Sequence, residues 1–160
     1  MQKQKNRIYL ILLLLVISIA FVSALIIQYW LGHQPCKLCI YQRIPYILSI
    51  LIIITILLIR KYEKISLLIL VLIFFISFSL AFYHFGIEQG FFNELALCET
   101  TDLTKDLTKE QILEQLKNSV ISCKDVDFKI LGLSLATINT IFSFFLTVIF
   151  ARLYISYGKN

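Results

Sequence analysis

The 160-residue chain is short of most of what a water-soluble globule uses to stay dissolved and to turn corners. Charged residues make up 16% of it, against about a quarter in soluble domains, and 59% is hydrophobic. So much apolar surface cannot be hidden in so short a chain, which excludes a soluble fold. Two prolines and five glycines exclude collagen-like and low-complexity chains, and the hydrophobicity excludes disorder. There is no glycine-rich phosphate loop and no Cys-x-x-Cys-His, so nothing suggests a nucleotide, haem or flavin site. A net charge of +5 on a soluble protein would raise nucleic acid as a partner. Here its distribution points to a lipid bilayer, and no nucleic acid is expected.

What the chain has is long apolar runs. Crossing the hydrocarbon layer takes about 20 such residues in a helix, because open strands would leave backbone groups unpaired in lipid. Ile8 to Leu31 is 24 residues without a charge, and Ile130 to Ala151 is 22. Ile65 to Phe82 is 18, extendable through His84 to Ile87. Ile44 to Ile59 is 16 and becomes a full span by starting near Ile40 and including Arg43. The first run is too long for a signal-peptide core and no small-residue cleavage site follows, so it is read as retained. The expected fold is a single all-α membrane domain, a four-transmembrane-helix bundle with helices at 8–31, 40–59, 65–87 and 130–151. Outer loops at 32–39 and 88–129 and a cytoplasmic loop at 60–64 join them.

Short loops rich in Lys and Arg stay cytoplasmic. The two termini and the loop at 60–64 hold eight basic residues against Glu63 alone, a net +7, and the other side carries a net −2. Both termini are therefore expected in the cytoplasm. All four cysteines, Cys36, Cys39, Cys98 and Cys123, fall on the opposite side, where disulfides persist.

The 42 residues from Glu88 to Lys129 are too few for a core of their own. Within them, Thr108-Lys-Glu-Gln111 reads as a capping box. Ile112, Leu113, Leu116 and Val120 then line one face of a short amphipathic helix. That helix lies on the membrane surface or packs against the ends of the spans, and Cys98 and Cys123 flank it.

The first outer loop reads His33-Gln-Pro-Cys36-Lys-Leu-Cys39-Ile-Tyr-Gln-Arg43-Ile-Pro-Tyr46. A Cys-x-x-Cys pair forms a tight, reversible disulfide suited to redox exchange. Cys39 stands at or just before the start of the second span, where free amides and the helix dipole favour a thiolate. Arg43, four residues on, shares a helical face with it, although Pro45 biases Ile44 away from helical angles. Alternatives from spacing are a structural disulfide, a zinc site from His33, Cys36 and Cys39 completed by Cys98 and Cys123, and a snorkelling Arg43. Trp30, Tyr41 and Tyr46 read mainly as an interfacial aromatic belt, with lining of a cofactor site the alternative, and Ser77, Ser79, Thr137, Asn139 and Thr140 as helix-packing groups.

The run Pro-Cys36-Lys-Leu-Cys39-Ile-Tyr-Gln-Arg43 resembles the active-site motif of the disulfide bond formation protein B (DsbB) family. The resemblance extends to the four spans, to Cys98 and Cys123 in a long outer loop, to Tyr83-His-Phe-Gly-Ile-Glu88 and to Leu131-Gly-Leu-Ser134. Phe128 and Ala136 stand where the family often has Trp and Pro. The resemblance implies a thiol oxidase of the bacterial inner membrane that reoxidises a soluble, thioredoxin-like (DsbA-like) dithiol oxidase and reduces a quinone, ubiquinone or menaquinone. By matching positions, Cys36 and Cys39 would be the quinone-coupled pair and Cys98 and Cys123 the pair facing the partner. Cys98 would be the sulfur attacked, and Cys39 the thiolate left beside Arg43. Arg43 would bind quinone, with His84 and Glu88 nearby, His84 either supplying protons or simply hydrogen-bonded at a helix end. No metal is implied. A membrane protein with merely structural disulfides, or one with a Cys/His zinc site, is the alternative.

Overall fold

The computed structural model describes residues 2–59, 62–93, 122–124, 129–130 and 132–157. Among the described residues the helices are α1 (Gln2–Tyr29), α2 (Lys37–Tyr41), α3 (Arg43–Leu58), α4 (Glu63–Glu88) and α5 (Leu135–Tyr157). Four stretches are long and apolar enough to cross a membrane: Arg7–Tyr29, Lys37–Leu58, Glu63–Glu88 and Leu135–Tyr157. The fold is the expected all-α membrane bundle. Its helices are apolar on every side, as lipid-facing helices are. Ile19, Leu51, Phe75, Ile76 and Phe145 are more than half exposed, the outward face of a chain whose solvent is hydrocarbon. The expected helix at 108–120 lies outside the described residues.

Helix α4 is the centre of the bundle. It packs along most of its length against α5 and also against α3, which in turn packs against α1. Between them Phe74 stacks on Phe150 at 5.4 Å, and Tyr46 meets Phe74 edge-on at 6.0 Å. Ile17, Ile53 and Leu70 close the same core with no exposed surface. One polar pair crosses it, Ser77 to Ser143 at 3.1 Å between their hydroxyls, the packing role expected of Ser77. At one end of the bundle Tyr157 donates to the Glu63 carboxylate, and Lys64 lies over the Tyr154 ring. The described cysteines are at the other end.

The second and last spans differ from the sequence reading. The second begins at Lys37 and not near Ile40, and it is interrupted at Gln42, between α2 and α3. Pro45 has no N–H to give to the carbonyl four residues back, so the helical ladder lapses at Tyr41 and resumes beyond it. The last helix begins at Leu135 and not at Ile130. Residues Lys129–Ile130 and Leu133–Ser134 form a small antiparallel hairpin, β1 and β2, pairing Ile130 with Leu133. Ser134 then caps α5, its hydroxyl accepting from the Thr137 N–H at 3.1 Å.

Helix α4 stops where the redox end begins. The Phe91 N–H donates to the Gly86 carbonyl at 2.8 Å and the Gly90 N–H to Ile87 at 3.0 Å, closing a Schellman turn. Gly90, at φ +77°, supplies the left-handed residue that this turn requires. The turn folds Phe92 back over Gly86, where an added Cβ would lie 2.1 Å from the ring. Gly86→Ala is therefore expected to destabilise the protein by about 1–3 kcal/mol, and by much less in a Phe92→Ala background where the ring is gone. Thermal unfolding of the four proteins in detergent checks this; equal costs in both backgrounds would show that the ring is not the obstacle.

Candidate redox site

The site forms where the α1–α2 loop, the end of α4 and the segment around Cys123 converge. Cys36 is the N-cap of α2, its sulfur accepting from the Cys39 N–H at 3.3 Å. The amide-stabilised sulfur is thus Cys36, whereas the sequence reading placed that advantage on Cys39. The reason is register: the helix starts three residues before Ile40, so Cys39 already lies inside its first turn. The two sulfurs are 3.0 Å apart. Two thiolates held at 2.3 Å on a tetrahedral zinc would stand about 3.8 Å apart, so the spacing suits exchange partners better than co-ligands.

Cys36 and Cys123 are both buried and belong to one apolar cluster with Leu38 and Ile87. The Cys123 thiol hydrogen-bonds Cys36, and with Cys39 and His84 it holds the Cys36 thiol below the usual range despite burial. Cys98 lies outside the described residues.

His84 is buried, one turn before Glu88 on α4. Its Nε2 lies 3.6 Å from Cys36 Sγ and 3.8 Å from a Glu88 carboxylate oxygen. It is therefore within the site and not at a wet helix end. Cys36, Cys39 and His84 bring three ligand-type atoms within 4.8 Å of one another, while His33, favoured as a ligand by spacing, lines the adjoining cavity outside that group. Glu88 accepts from the Ser134 hydroxyl, which ties the end of α4 to the start of α5.

A cavity of about 340 Å³ opens beside the sulfurs, within the size range of ordinary ligand pockets. It lies between α1 and α5, which scarcely touch each other. Ala24 and Ile27 from α1 and Leu135, Ile138 and Phe142 from α5 are among its apolar walls. Cys36, Cys39, Arg43, His84 and Glu88 all line it. Arg43 donates to the Gln28 side-chain oxygen. Tyr46 departs from the aromatic-belt reading: it is buried, lines the cavity and donates to Asn139. Trp30 and Tyr41 are exposed, as belt residues are.

Three residues were missed by the sequence reading or read as packing groups. Gln42 is buried and contacts both His84 and Asn139. Gln28 holds Arg43, and Asn139 links Tyr46 to Gln42. Their common signal was available: an amide side chain inside an apolar span has to find a polar partner there.

Because its pKa is depressed, Cys36 in the reduced protein is a thiolate at pH values where an ordinary thiol, with a pKa of about 8.5, is protonated. The thiolate, and the stability it brings, persists as pH falls below that value and is lost only when pH passes through the lowered one. Iodoacetamide labelling of reduced protein, resolved by residue, is expected to modify Cys36 at a rate nearly flat from pH 6 to 8, whereas an ordinary thiol gains about tenfold per pH unit there. A tenfold climb per unit at Cys36 would show an unperturbed thiol.

Comparison with known proteins agrees with the architecture and the motif. The uncharacterized protein RP370 of Rickettsia prowazekii (strain Madrid E) is 30% identical to this chain over 161 residues, covering 99% of this chain and 93% of the relative. The family described as disulfide bond formation protein DsbB matches residues 6–153, which takes in all four spans up to the last turn of α5. With its four apolar helices and its Cys-x-x-Cys pair at one end of the bundle, this multi-pass membrane protein belongs to the DsbB family of disulfide-bond-forming oxidoreductases.

Proposed function

We propose that the protein is a membrane thiol oxidase that reoxidises a soluble DsbA-like dithiol oxidase outside the bacterial inner membrane and delivers the electrons to a ubiquinone or menaquinone. The observation that carries this reading is the contact of Cys123 with Cys36, which sets a cysteine of the long outer loop against one of the Cys-x-x-Cys pair. Exchange between two disulfides requires that one sulfur of each pair come within reach of the other. The charge asymmetry along the chain supports placing this end on the periplasmic side, with both termini in the cytoplasm.

In this reading the partner's thiolate attacks Cys98 of a Cys98–Cys123 disulfide and forms a mixed disulfide. The partner's second thiol closes its own disulfide and releases Cys98 and Cys123 reduced. Cys123 then attacks Cys36 of the Cys36–Cys39 disulfide, and Cys39 leaves as a thiolate. Cys98 attacks Cys123 in the resulting Cys36–Cys123 bridge, which restores the outer pair and frees Cys36. Two electrons have moved from the partner to Cys36 and Cys39, and the groups around Cys36 that favour its thiolate make it a good leaving group in the last step.

The cavity suits a quinone head group: apolar walls for the ring, and Arg43 as a donor for a carbonyl oxygen. A quinone bound there supplies a two-electron, two-proton acceptor for the dithiol. Arg43 would hold it and stabilise negative charge near Cys39, as preorganised cationic groups do. Glu88 and His84 complete the polar end of the cavity.

Purified full-length protein, given a reduced thioredoxin-like dithiol oxidase and a short-chain quinone, is expected to reduce one quinone per dithiol oxidised. Cys36→Ser, Cys98→Ala and Cys123→Ser should each abolish turnover, and full turnover by the Cys123 variant would refute the route. Arg43→Ala is expected to raise the quinone KM by roughly 10–100-fold, the worth of a hydrogen bond to a charged group. An unchanged KM would leave Arg43 only its contact with Gln28.

A further inference from the structure

The amide and imidazole groups behind Cys36 form a chain whose direction can be read link by link. The Leu80 main-chain oxygen can only accept, and Gln42 Nε2 lies 3.4 Å from it. The Gln42 amide nitrogen therefore faces α4, and the same nitrogen lies 3.2 Å from His84 Nδ1. On its other side Gln42 Oε1 accepts from Asn139 Nδ2 at 2.8 Å, the orientation that the Leu80 contact demands. Asn139 is turned that way because its own oxygen accepts from the Tyr46 hydroxyl and from the Ser143 hydroxyl at 3.4 Å. Three helices thus agree on which end of each amide points where.

The consequence falls on the ring of His84. An N–H donor aimed at Nδ1 requires a lone pair there, so the neutral ring carries its hydrogen on Nε2. The groups facing Nε2 are Cys36 Sγ at 3.6 Å and a Glu88 oxygen at 3.8 Å, both of them acceptors. Donor on one side and acceptors on the other give one self-consistent arrangement. We propose that Gln42, locked by Asn139 and the Leu80 carbonyl, is a positioning residue that holds His84 in the Nε2–H form, with that hydrogen directed at the Cys36 sulfur. The hydrogen bonds of Gln42 go to Leu80, His84 and Asn139, so it acts on Cys36 through the ring. Its importance for turnover rests on the reading of Cys36 as an exchanging thiol, whereas the tautomer itself does not.

The two histidines of the chain make the assignment directly measurable. Protein labelled with nitrogen-15 histidine is prepared in detergent, with the His33 signals identified from a His33→Gln variant. Two-bond proton–nitrogen spectra at a pH where the ring is neutral are expected to show His84 protonated on Nε2. Gln42→Leu should remove the preference and give a mixture of both forms. Gln42→Glu, nearly identical in shape, places an acceptor against Nδ1 and should draw a proton to that atom. The pH below which Cys36 alkylation falls away should rise by about one unit in His84→Leu, the worth of one hydrogen bond to a charged group. Gln42→Leu should raise it by less, and the double variant by no more than His84→Leu alone. A wild-type ring protonated on Nδ1, or an Nε2–H ring unmoved by both Gln42 substitutions, overturns the assignment. A turnover assay that fails while the spectra behave as expected overturns the thiol-oxidase reading and leaves the tautomer standing.

Discussion

A polar side chain carried into hydrocarbon has no water to fall back on, so it must be satisfied by another polar group of the same bundle. That constraint organises one end of this protein. The link from Asn139 to Gln42 joins α5 to the junction of α2 and α3, and the link from Gln42 to His84 carries it on to α4. The arrangement needs Gln42 to stand where the helix is interrupted, and Pro45 provides the interruption by withholding one backbone donor. Away from this end the bundle is held by aromatic stacking, the Ser77–Ser143 pair and the contacts of Tyr157 with Glu63 and of Lys64 with Tyr154.

The same constraint decides where the reactive sulfur lies. Cys36 is surrounded by donors: the Cys39 backbone N–H, the Cys123 thiol, the Cys39 thiol and, in the proposed tautomer, the ring of His84. Burial alone would raise a thiol pKa, and here the hydrogen bonds outweigh it. Cys39 lies one turn further on beside the same cavity. Both sulfurs line the cavity, but the donors gather at Cys36, which also contacts Cys123, so the two cysteines of the pair are not equivalent.

Much of this was legible beforehand, for identifiable reasons. Four spans are visible because hydrocarbon tolerates so few charges that Ile8 to Leu31 and Ile130 to Ala151 stand out. Cys36, Cys39, Arg43, His84 and Glu88 could be named from their motifs, and all five line one cavity. The start of the last helix was not legible. Ile130 to Ser134 is equally apolar as a strand or as a helical turn, and hydropathy does not distinguish them. Tyr46 was read as a belt residue because a tyrosine near a helix end looks the same whether it faces headgroups or Phe74.

Composition and spacing by themselves determined the membrane class, the number of spans and the Cys-x-x-Cys segment, because those depend on one-dimensional quantities: run length, charge and separation along the chain. Only the tertiary structure decided which sulfur the donors gather around, which histidine joins the cluster, and that Gln42 and Asn139 belong to the site at all. Those choices depend on contacts between residues 42 to 97 positions apart, such as Gln42 with His84 and with Asn139, whose hydrogen-bond direction is set by helices meeting in space.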